Sequence, residues 1–304
     1  MTGPPRLWVF NLDADSELAT RGHYTPAKRV HTIAAALRPH LMSLLGAGDV
    51  VLEPSLEPSS AGAASPSVPP RGVAWCPTSH ALRQLAGAGA MLPRAPSMAV
   101  LRRVNHRQFC HALGPTLDGA AFVYDNEQLA RVIDERRPEL GWLLKRPFST
   151  SGSGRRHIVD IAARDEGWLA ASWRLGGLQV EPLVARVLDV SMHGYLDGAG
   201  RLTCGRALRQ LCDVRGRWRG AQPLAAGELA PPFARMLQRE LVRVAAVLVE
   251  AGYFGPFGID AFVYRDGGCE RFNPRCEINA RYSMNWAMGM AGQRPDLVLG
   301  ASRV

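Results

Sequence analysis

Residues Cys276 to Asn285 read CEINARYSMN, with Glu277, Asn279 and Arg281 at every second position. In an extended strand, residues two apart share a face. A carboxylate, an amide and a guanidinium therefore converge on one side, while Ile278, Ala280 and Tyr282 point toward a core. Two of these groups are oxygen ligands for a hard cation, and the third is a planar fork for a phosphate. A second carboxylate comes from GPFGIDAFVYRDGG, where Asp260 shares a strand face with Gly258, Phe262 and Tyr264. Phe257, Ile259, Ala261 and Val263 lie on the other face. If strands 257–264 and 271–281 pair as antiparallel neighbours, Asp260 meets Glu277 and Asn279. Their oxygens can then surround one or two Mg²⁺ ions, with nucleotide phosphates completing the shell. Arg281 would reach the phosphoryl group in transfer. A polar sheet face with an ion pair is the plainer alternative.

Two further stretches supply matching chemistry. LLKRPFSTSGSGRRHIV sets Lys145 at the end of an apolar strand, before a loop of Ser and Gly and another strand. Small residues let backbone N–H groups turn inward around an anion. No GK[ST] follows, so this is not a Walker A loop, and a flexible hairpin turn would look alike. The lysine itself carries weight: of 36 basic residues only Lys28 and Lys145 are lysine. A chain that uses Arg wherever either cation serves keeps Lys where a compact ammonium is needed. LQVEPLVARVLDVS holds Glu181 where one strand ends and the next begins. Such a hinge offers an N–H and a C=O to adenine. Pro182 has no N–H, but Val184 does, and Asp189 follows for ribose hydroxyls. Each acid alone would equally pass as a solvated surface charge.

These groups need elements to hold them. The 304 residues suffice for one large or two to three modest domains, and 47% hydrophobic with 21% charged residues is ordinary globular composition. The most apolar segment, residues 241–255, carries Arg243 and Glu250 and reads as a buried helix, not a bilayer span. The first residues lack the pattern of a signal peptide. The six cysteines form no CxxC pair and no zinc spacing, which predicts reduced, mostly buried thiols in the cytoplasm; a zinc site on Cys269 and Cys276 is the weaker option. A net charge of +9 raises nucleic acid as a partner. The basic residues are scattered without an aromatic signature, which disfavours it.

Along the chain, strands are expected over 6–12, 49–54 and 72–76. Helices are expected from Thr25-Pro26 through residue 37 and from Thr78, and a Pro/Ala/Ser-rich loop over 55–72. Alternating strands and helices predict a small α/β domain with a parallel sheet. One helix over 97–113 should lead into a second unit: strands 119–124, 141–148, 155–161 and 178–184 with helices 126–136 and 164–174. A third unit is antiparallel in flavour. It holds strands 186–196, 201–208, 257–264 and 271–281, a helix over 231–251, and a long polar stretch over 209–230 that reads as a lid or a solvent loop.

The ordered set from about Ser97 to Met290 resembles the ATP-grasp superfamily: Lys before a Gly-rich loop, Glu at a hinge, an acid for ribose, then Asp…Glu-x-Asn-x-Arg. EINAR is close to that family's Glu-x-Asn-Pro-Arg. The resemblance implies an ATP-grasp fold of two α+β lobes holding ATP, preceded by a small Rossmann-like parallel α/β domain. The units would be 1–96, 97–184 and 185–304. It implies that Lys145 binds the α/β-phosphates and that Ser151, Gly152, Ser153 and Gly154 cover the β/γ-phosphates. Glu181 and Val184 would read adenine, and Asp189 the ribose. Asp260, Glu277 and Asn279 would hold Mg²⁺ or Mn²⁺, and Arg281 would stabilise the transition state. Arg107 stands where the family often has a first-lobe lysine, Ala280 replaces the proline, and Arg206, with Arg209 beside it, is a candidate phosphate ligand.

The reaction implied is ADP-forming ligation of a small-molecule or peptide carboxylate to an amine, in a cytoplasmic protein without a membrane partner. A homodimer is compatible with it. The alternatives are a phosphotransferase on the same fold and a non-catalytic nucleotide or nucleic-acid binder. Asp13, Asp15, Glu17, Thr78 and His80 either contact the acceptor or cap helices.

Overall fold

The computed structural model describes residues 5–26, 37, 39–52, 68–115, 117–149, 154–160, 164–213 and 218–298. Most of the expected 27–37 helix, positions 55–67 of the Pro-rich loop and Ser151–Ser153 lie outside these residues. Three short parallel strands open the chain: β1 (Arg6–Val9), β2 (Val50–Val51) and β3 (Arg71–Ala74), in the order β2-β1-β3. β1 stops at Val9, short of the expected residue 12. The Asn11 side chain donates to Cys76 O at 2.8 Å and accepts from Cys76 N at 3.1 Å. That amide clamp ties the end of β1 to the end of β3 and turns the chain into an unforeseen helix, α1 (Ala14–Ala19). Helix α2 (Ser79–Gly87) starts after Thr78, as expected.

The expected 97–113 helix is two helices, α3 (Met98–Asn105) and α4 (Arg107–Ala112). His106 between them is extended, its Nδ1 accepts from Gln108 N, and Arg107 N donates to Pro147 O at 3.1 Å. The break swings the Arg107 side chain inward. Next come β4 (Ala121–Val123), α5 (Asn126–Glu135), β5 (Trp142–Lys145), β6 (Arg155–Ile158), α6 (Glu166–Arg174) and β7 (Leu178–Pro182). The strands form an antiparallel sheet in the order β4-β7-β5-β6, with its own core around Leu129, Trp142, Leu144, Trp168 and Val180. Asp125 and Asp165 cap the two helices by accepting from Gln128 N and Trp168 N.

The third layer contains β8 (Ala185–Leu196), β9 (Leu202–Cys212), β10 (Trp218–Pro223), α7 (Pro231–Glu250), β11 (Gly255–Asp266), β12 (Cys269–Asn279) and two short helices, α8 (Trp286–Gly289) and α9 (Pro295–Val298). Its antiparallel sheet runs β10-β9-β8-β11-β12. Much of the 209–230 stretch is therefore paired strand, not lid: β10 pairs with β9 from Trp218↔Cys212 to Pro223↔Leu208. The β11–β12 hairpin is paired to its tip, Asp266↔Cys269. Gly267 and Gly268, at φ +57° and +82°, form the two-residue turn that requires left-handed backbone. Helix α7 begins with two prolines and repeats Leu237, Leu241, Val244 and Leu248, a buried stripe at helical spacing. Burial of each such side chain stabilises by about 1.5–3 kcal/mol. This stripe packs in one large core with Phe257 and Ile259 of β11 and with Trp8 and Leu18 of the N-terminal unit. Leu101, Val104 and Cys110, expected with the middle unit, join this core as well. Among the described residues, no helix is long and apolar enough to cross a membrane.

Candidate active site

A cleft of about 570 Å³ lies between the two antiparallel sheets, with Leu12 and Trp75 of the N-terminal unit at one edge. Among the described residues, six basic and three acidic side chains line it. An excess of cations in a closed cleft selects polyanions. Its floor is one face of β8, β11 and β12. Asp260 of β11 lies opposite Glu277 of β12 and opposite Ser191 of β8. Gly258 lies opposite Asn279 and His193. Directly opposed side chains sit about 5 Å apart at their β-carbons, so the acid pair is a geometric consequence of register. The register depends on an irregularity of β12: Phe262 pairs with Asn273, leaving three residues between Asn273 and Glu277. Ile278, Ala280 and Tyr282 are buried on the reverse side, as the alternation predicts.

The cationic groups are held in place by partners. Lys145 Nζ donates to Glu181 Oε2, and Gln179 Nε2 donates to Glu181 Oε1 at 2.7 Å, all three residues being buried. Glu181 therefore lies within β7 with each carboxylate oxygen accepting one hydrogen bond, from Lys145 and from Gln179. Of the linker N–H groups, that of Leu183 donates to Gly141 O, and Val184 does not line the cleft. An ammonium has three donors, so Lys145, which lines the cleft, can meet both Glu181 and a phosphate. Arg107 is buried and links three elements: Nη2 donates to Glu277 Oε1 at 2.8 Å and to Ser149 Oγ at 3.1 Å, and Nε to Arg146 O at 3.1 Å. Asp189 accepts from Arg186 Nη1 at 2.8 Å, and that guanidinium lies 3.9 Å from the centre of the Phe262 ring. Arg281 donates through Nη1 to Asn279 Oδ1 at 2.7 Å and through Nη2 to Asp15 Oδ2 at 2.8 Å. Asn105 fixes the turn before it, accepting from Ala280 N at 2.9 Å. Proline at 280 could not make that bond.

The two facing carboxylates differ. Desolvation at the cleft floor and the Glu277 charge push Asp260 up to about 7, against hydrogen bonds from Gln210 Nε2 at 2.5 Å and Asn279 Nδ2 at 3.0 Å. Desolvation acts likewise on Glu277, but Arg107, Lys145 and Arg281 outweigh it and hold its pKa below the usual value. Two carboxylates and an amide oxygen are hard-cation donors. A divalent ion would relieve the repulsion that raises Asp260. Rotation of the Asn279 amide would turn its oxygen toward the acids. The donor set fits Mg²⁺ with phosphate oxygens as further ligands. Among the described residues no three His, Cys, Asp or Glu side chains gather into a metal cluster, so zinc at Cys269 and Cys276 has no support.

Other expected residues fall differently. Gly154 approaches Ser149 so closely that a β-carbon would lie 2.6 Å from that side chain. Arg206 is exposed on β9 and does not line the cleft; the β9 side chains that do are Gln210 and Cys212. The pairing irregularity between Met192 and Gly194 of β8 shifts the phase of β9 there. Glu17 caps α2, accepting from His80 N at 2.9 Å, Thr78 Oγ1 accepts from Asn11 Nδ2, and Asp13 accepts from Tyr24. Three of the six free cysteines, Cys76, Cys110 and Cys276, are buried. The sequence reading missed Gln210 and the bond between Asp15 and Arg281. Gln210 could have been found by extending the strand 201–208 with the same alternation; the Asp15 bond has no local signal.

Neither a protein-family profile nor a curated protein sequence matches the chain. Solved structures do match in fold. The biotin carboxylase domain of the Hydrogenobacter thermophilus 2-oxoglutarate carboxylase, solved with MgADP, ADP and bicarbonate, is 14% identical with a TM-score of 0.55, over 96% of this chain and 71% of that one. D-alanyl-alanine synthetase A of Vibrio cholerae is 13% identical with a TM-score of 0.52, over 100% of this chain and 95% of that one. N5-carboxyaminoimidazole synthetase of Staphylococcus aureus, solved with ADP, is 10% identical with a TM-score of 0.50, over 96% and 79%. With two antiparallel sheets enclosing a cleft behind a small parallel α/β unit, the chain has the ATP-grasp fold.

Proposed function

We propose that the chain is an ATP- and divalent-metal-dependent ligase that activates a carboxylate as an acyl phosphate for attack by an amine. The observation that carries this reading is the row of Asp260, Glu277, Asn279 and Arg281 facing Lys145 across a cation-rich cleft. Neighbours of the same fold solved with ADP or MgADP support a nucleotide there. In this reading Lys145 holds the α/β-phosphates while Glu181 fixes its ammonium. Val184 reads adenine, and Asp189 the ribose. Asp260, Glu277 and Asn279 would hold Mg²⁺, which when bound supplies charge neutralisation of the phosphates. Arg107 keeps Glu277 ionised and oriented. Arg281, held on both nitrogens, presents its fork to the transferring phosphoryl group. A carboxylate oxygen attacks the γ-phosphorus, the bond to the β,γ-bridging oxygen breaks, and ADP leaves. The amine nitrogen then attacks the acyl carbon, phosphate departs, and the nitrogen loses a proton to solvent. Catalysis is positioning plus charge neutralisation.

Hydroxylamine is the test. With ATP, Mg²⁺, hydroxylamine and a panel of carboxylic acids, a hydroxamate should form together with ADP and free phosphate. Phosphate retained on a stable product that hydroxylamine does not touch would make the protein a phosphotransferase instead.

A further inference from the structure

Five side chains from distant parts of the chain form one line of hydrogen bonds along the cleft floor. Gln210 Nε2 of β9 donates to Asp260 Oδ1 at 2.5 Å, and Asn279 Nδ2 donates to Asp260 Oδ2 at 3.0 Å. Arg281 Nη1 donates to Asn279 Oδ1 at 2.7 Å, and its Nη2 donates to Asp15 Oδ2 of α1 at 2.8 Å. An ionised carboxylate only accepts, and a guanidinium only donates. With Asp260 ionised, Asn279 serves both neighbours in one orientation alone: N–H toward Asp260, oxygen toward Arg281. A divalent ion held by Asp260 and Glu277 asks for the opposite, because a hard cation is drawn to the amide oxygen and repelled by the N–H end. Turned that way, Asn279 shows an N–H to Arg281, which has only N–H groups to show in return. The bond between them is then lost. Arg281 and the cation therefore compete for one oxygen.

The remaining hold on Arg281 is Asp15. The two side chains are 12% and 9% exposed, so the pair is little weakened by solvent. Helix α3 grips both sides of it. Arg102 Nε donates to Leu18 O at 2.8 Å and Nη2 to Thr20 O at 3.1 Å, which fixes the end of α1. Asn105, three residues on and so on the same face of α3, accepts from Ala280 N at 2.9 Å. When Asn279 lets go, Arg281 pivots on Asp15 instead of swinging free. Nε and both N–H bonds of Nη1 are then open to a phosphoryl oxygen.

We propose that the Asn279 amide is a switch thrown by divalent-metal binding: on inverting, it frees Arg281 from β12 to meet the transferring phosphoryl group, while Asp15 of the N-terminal unit positions the freed guanidinium. The inversion needs only the cation; the destination of Arg281 rests on the ligase reading.

The first test is an NMR titration of the full chain, labelled with ¹⁵N in asparagine side chains. The sequence has six asparagines, and the signal missing from Asn279→Asp is that of Asn279. Mg²⁺ is added at about pH 8, above the Asp260 pKa of about 7, without and then with ADP. The Asn279 amide protons should lose the downfield shift of a bond to a carboxylate, while the Asn105 signal stays in place. The second test uses MgADP with aluminium fluoride, a stand-in for the phosphoryl group in flight. Wild-type protein should bind MgADP at least tenfold more tightly with the fluoride complex than without it. Asp15→Asn should lose that gain, about 1.4 kcal/mol, and keep its affinity for MgADP alone. Asp15→Glu, which retains the charge, should recover much of it. A merely structural role for Asp15 would lower Tm and MgADP affinity together and spare the gain. An Asn279 signal left in place by saturating Mg²⁺ overturns the switch, with or without nucleotide. A gain intact in Asp15→Asn overturns the positioning role. No gain in wild type, with the Asn279 signal moved, sinks the ligase reading and with it the destination of Arg281, while the amide switch stands.

Discussion

At the linker end of the cleft, charge meets charge: Lys145 with Glu181, Arg186 with Asp189, Arg107 with Glu277. At the far end, beside the Arg281–Asp15 pair, Ser191 Oγ, His193 Nδ1 and Ser283 Oγ have no hydrogen-bond partner among the described residues. Strand β8 runs through both ends, carrying Arg186 and Asp189 at one and Ser191 and His193 at the other. Paired charges are already oriented, and a polyanion entering among them finds donors that need little rearrangement. Neutral hydroxyls and an imidazole carry no charge partner that fixes their direction, so they can turn to suit what enters. The linker end is held ready, and the far end is left adaptable.

The sharpest break of this contrast is Glu277→Gln. The change removes one oxygen ligand and leaves the Arg107 guanidinium buried without its carboxylate. Unpairing a buried charge costs about 3 kcal/mol or more of stability, and loss of the metal-facing carboxylate should lower MgADP affinity and ATP-dependent turnover roughly a hundredfold, about 2.7 kcal/mol. Circular dichroism should still report a folded chain. Equal MgADP affinity by calorimetry would remove the acid row from the nucleotide end.

Lys145→Arg is the next largest. The ammonium sits in a buried pocket shaped around one nitrogen and the Glu181 carboxylate. A guanidinium is larger and planar and cannot meet Glu181 and a phosphate from the same point. Nucleotide affinity should drop at least tenfold, about 1.4 kcal/mol. Wild-type kinetics in this variant would mean the lysine is kept for reasons other than shape.

These predictions rest on a site whose floor was legible in the sequence. Glu277, Asn279, Arg281 and Asp260 were placed by strand periodicity, because period-two burial leaves little choice of face. Their pairing across a hairpin follows from a Gly-Gly turn. Arg107, by contrast, was named only through the family resemblance, and its bond to Glu277 had no local signal. Its inward turn depends on the break at His106, and helical periodicity through 97–113 gives no hint of it. Gln210 and Asp15 reach the site across 50 and 266 positions of sequence, distances over which local patterns carry no information. Arg206 was misplaced because a strand irregularity changes the phase, and alternation alone cannot reveal an extra residue.

Ala280→Pro probes how the far end is held. It would bring the sequence to the Glu-x-Asn-Pro-Arg form, yet it removes the N–H that Asn105 Oδ1 accepts. The loss of that bond should lower stability by about 1–2 kcal/mol. Arg281 should be less firmly held, and turnover should fall more than MgADP affinity. Unchanged Tm and turnover would show that the Asn105 clamp is dispensable.

The smallest effect on the cleft should come from a paired charge far from it. Asp49 accepts from Arg6, from Trp8 Nε1 at 2.9 Å and from Gly46 N at 2.8 Å, and its side chain is only 4% exposed. Desolvation opposes its charge, but the Arg6 and backbone bonds prevail and hold its pKa below the ordinary 3.8. A depressed carboxylate pKa means that, as pH falls, the unfolded chain takes up the proton before the folded one does. The pair's contribution is thus complete above about pH 4 and is lost as pH drops through the folded value. Asp49→Asn should cost about 1–2 kcal/mol near neutral pH and leave MgADP affinity unchanged. The Tm gap between variant and wild type should be widest above pH 5 and should narrow below 3.8. A gap that is constant with pH would mean that the Asp49 charge adds nothing beyond its hydrogen bonds. A loss of MgADP affinity would mean that pairing in the N-terminal unit reaches the nucleotide end after all, and that the contrast between ready and adaptable groups is not local to the cleft.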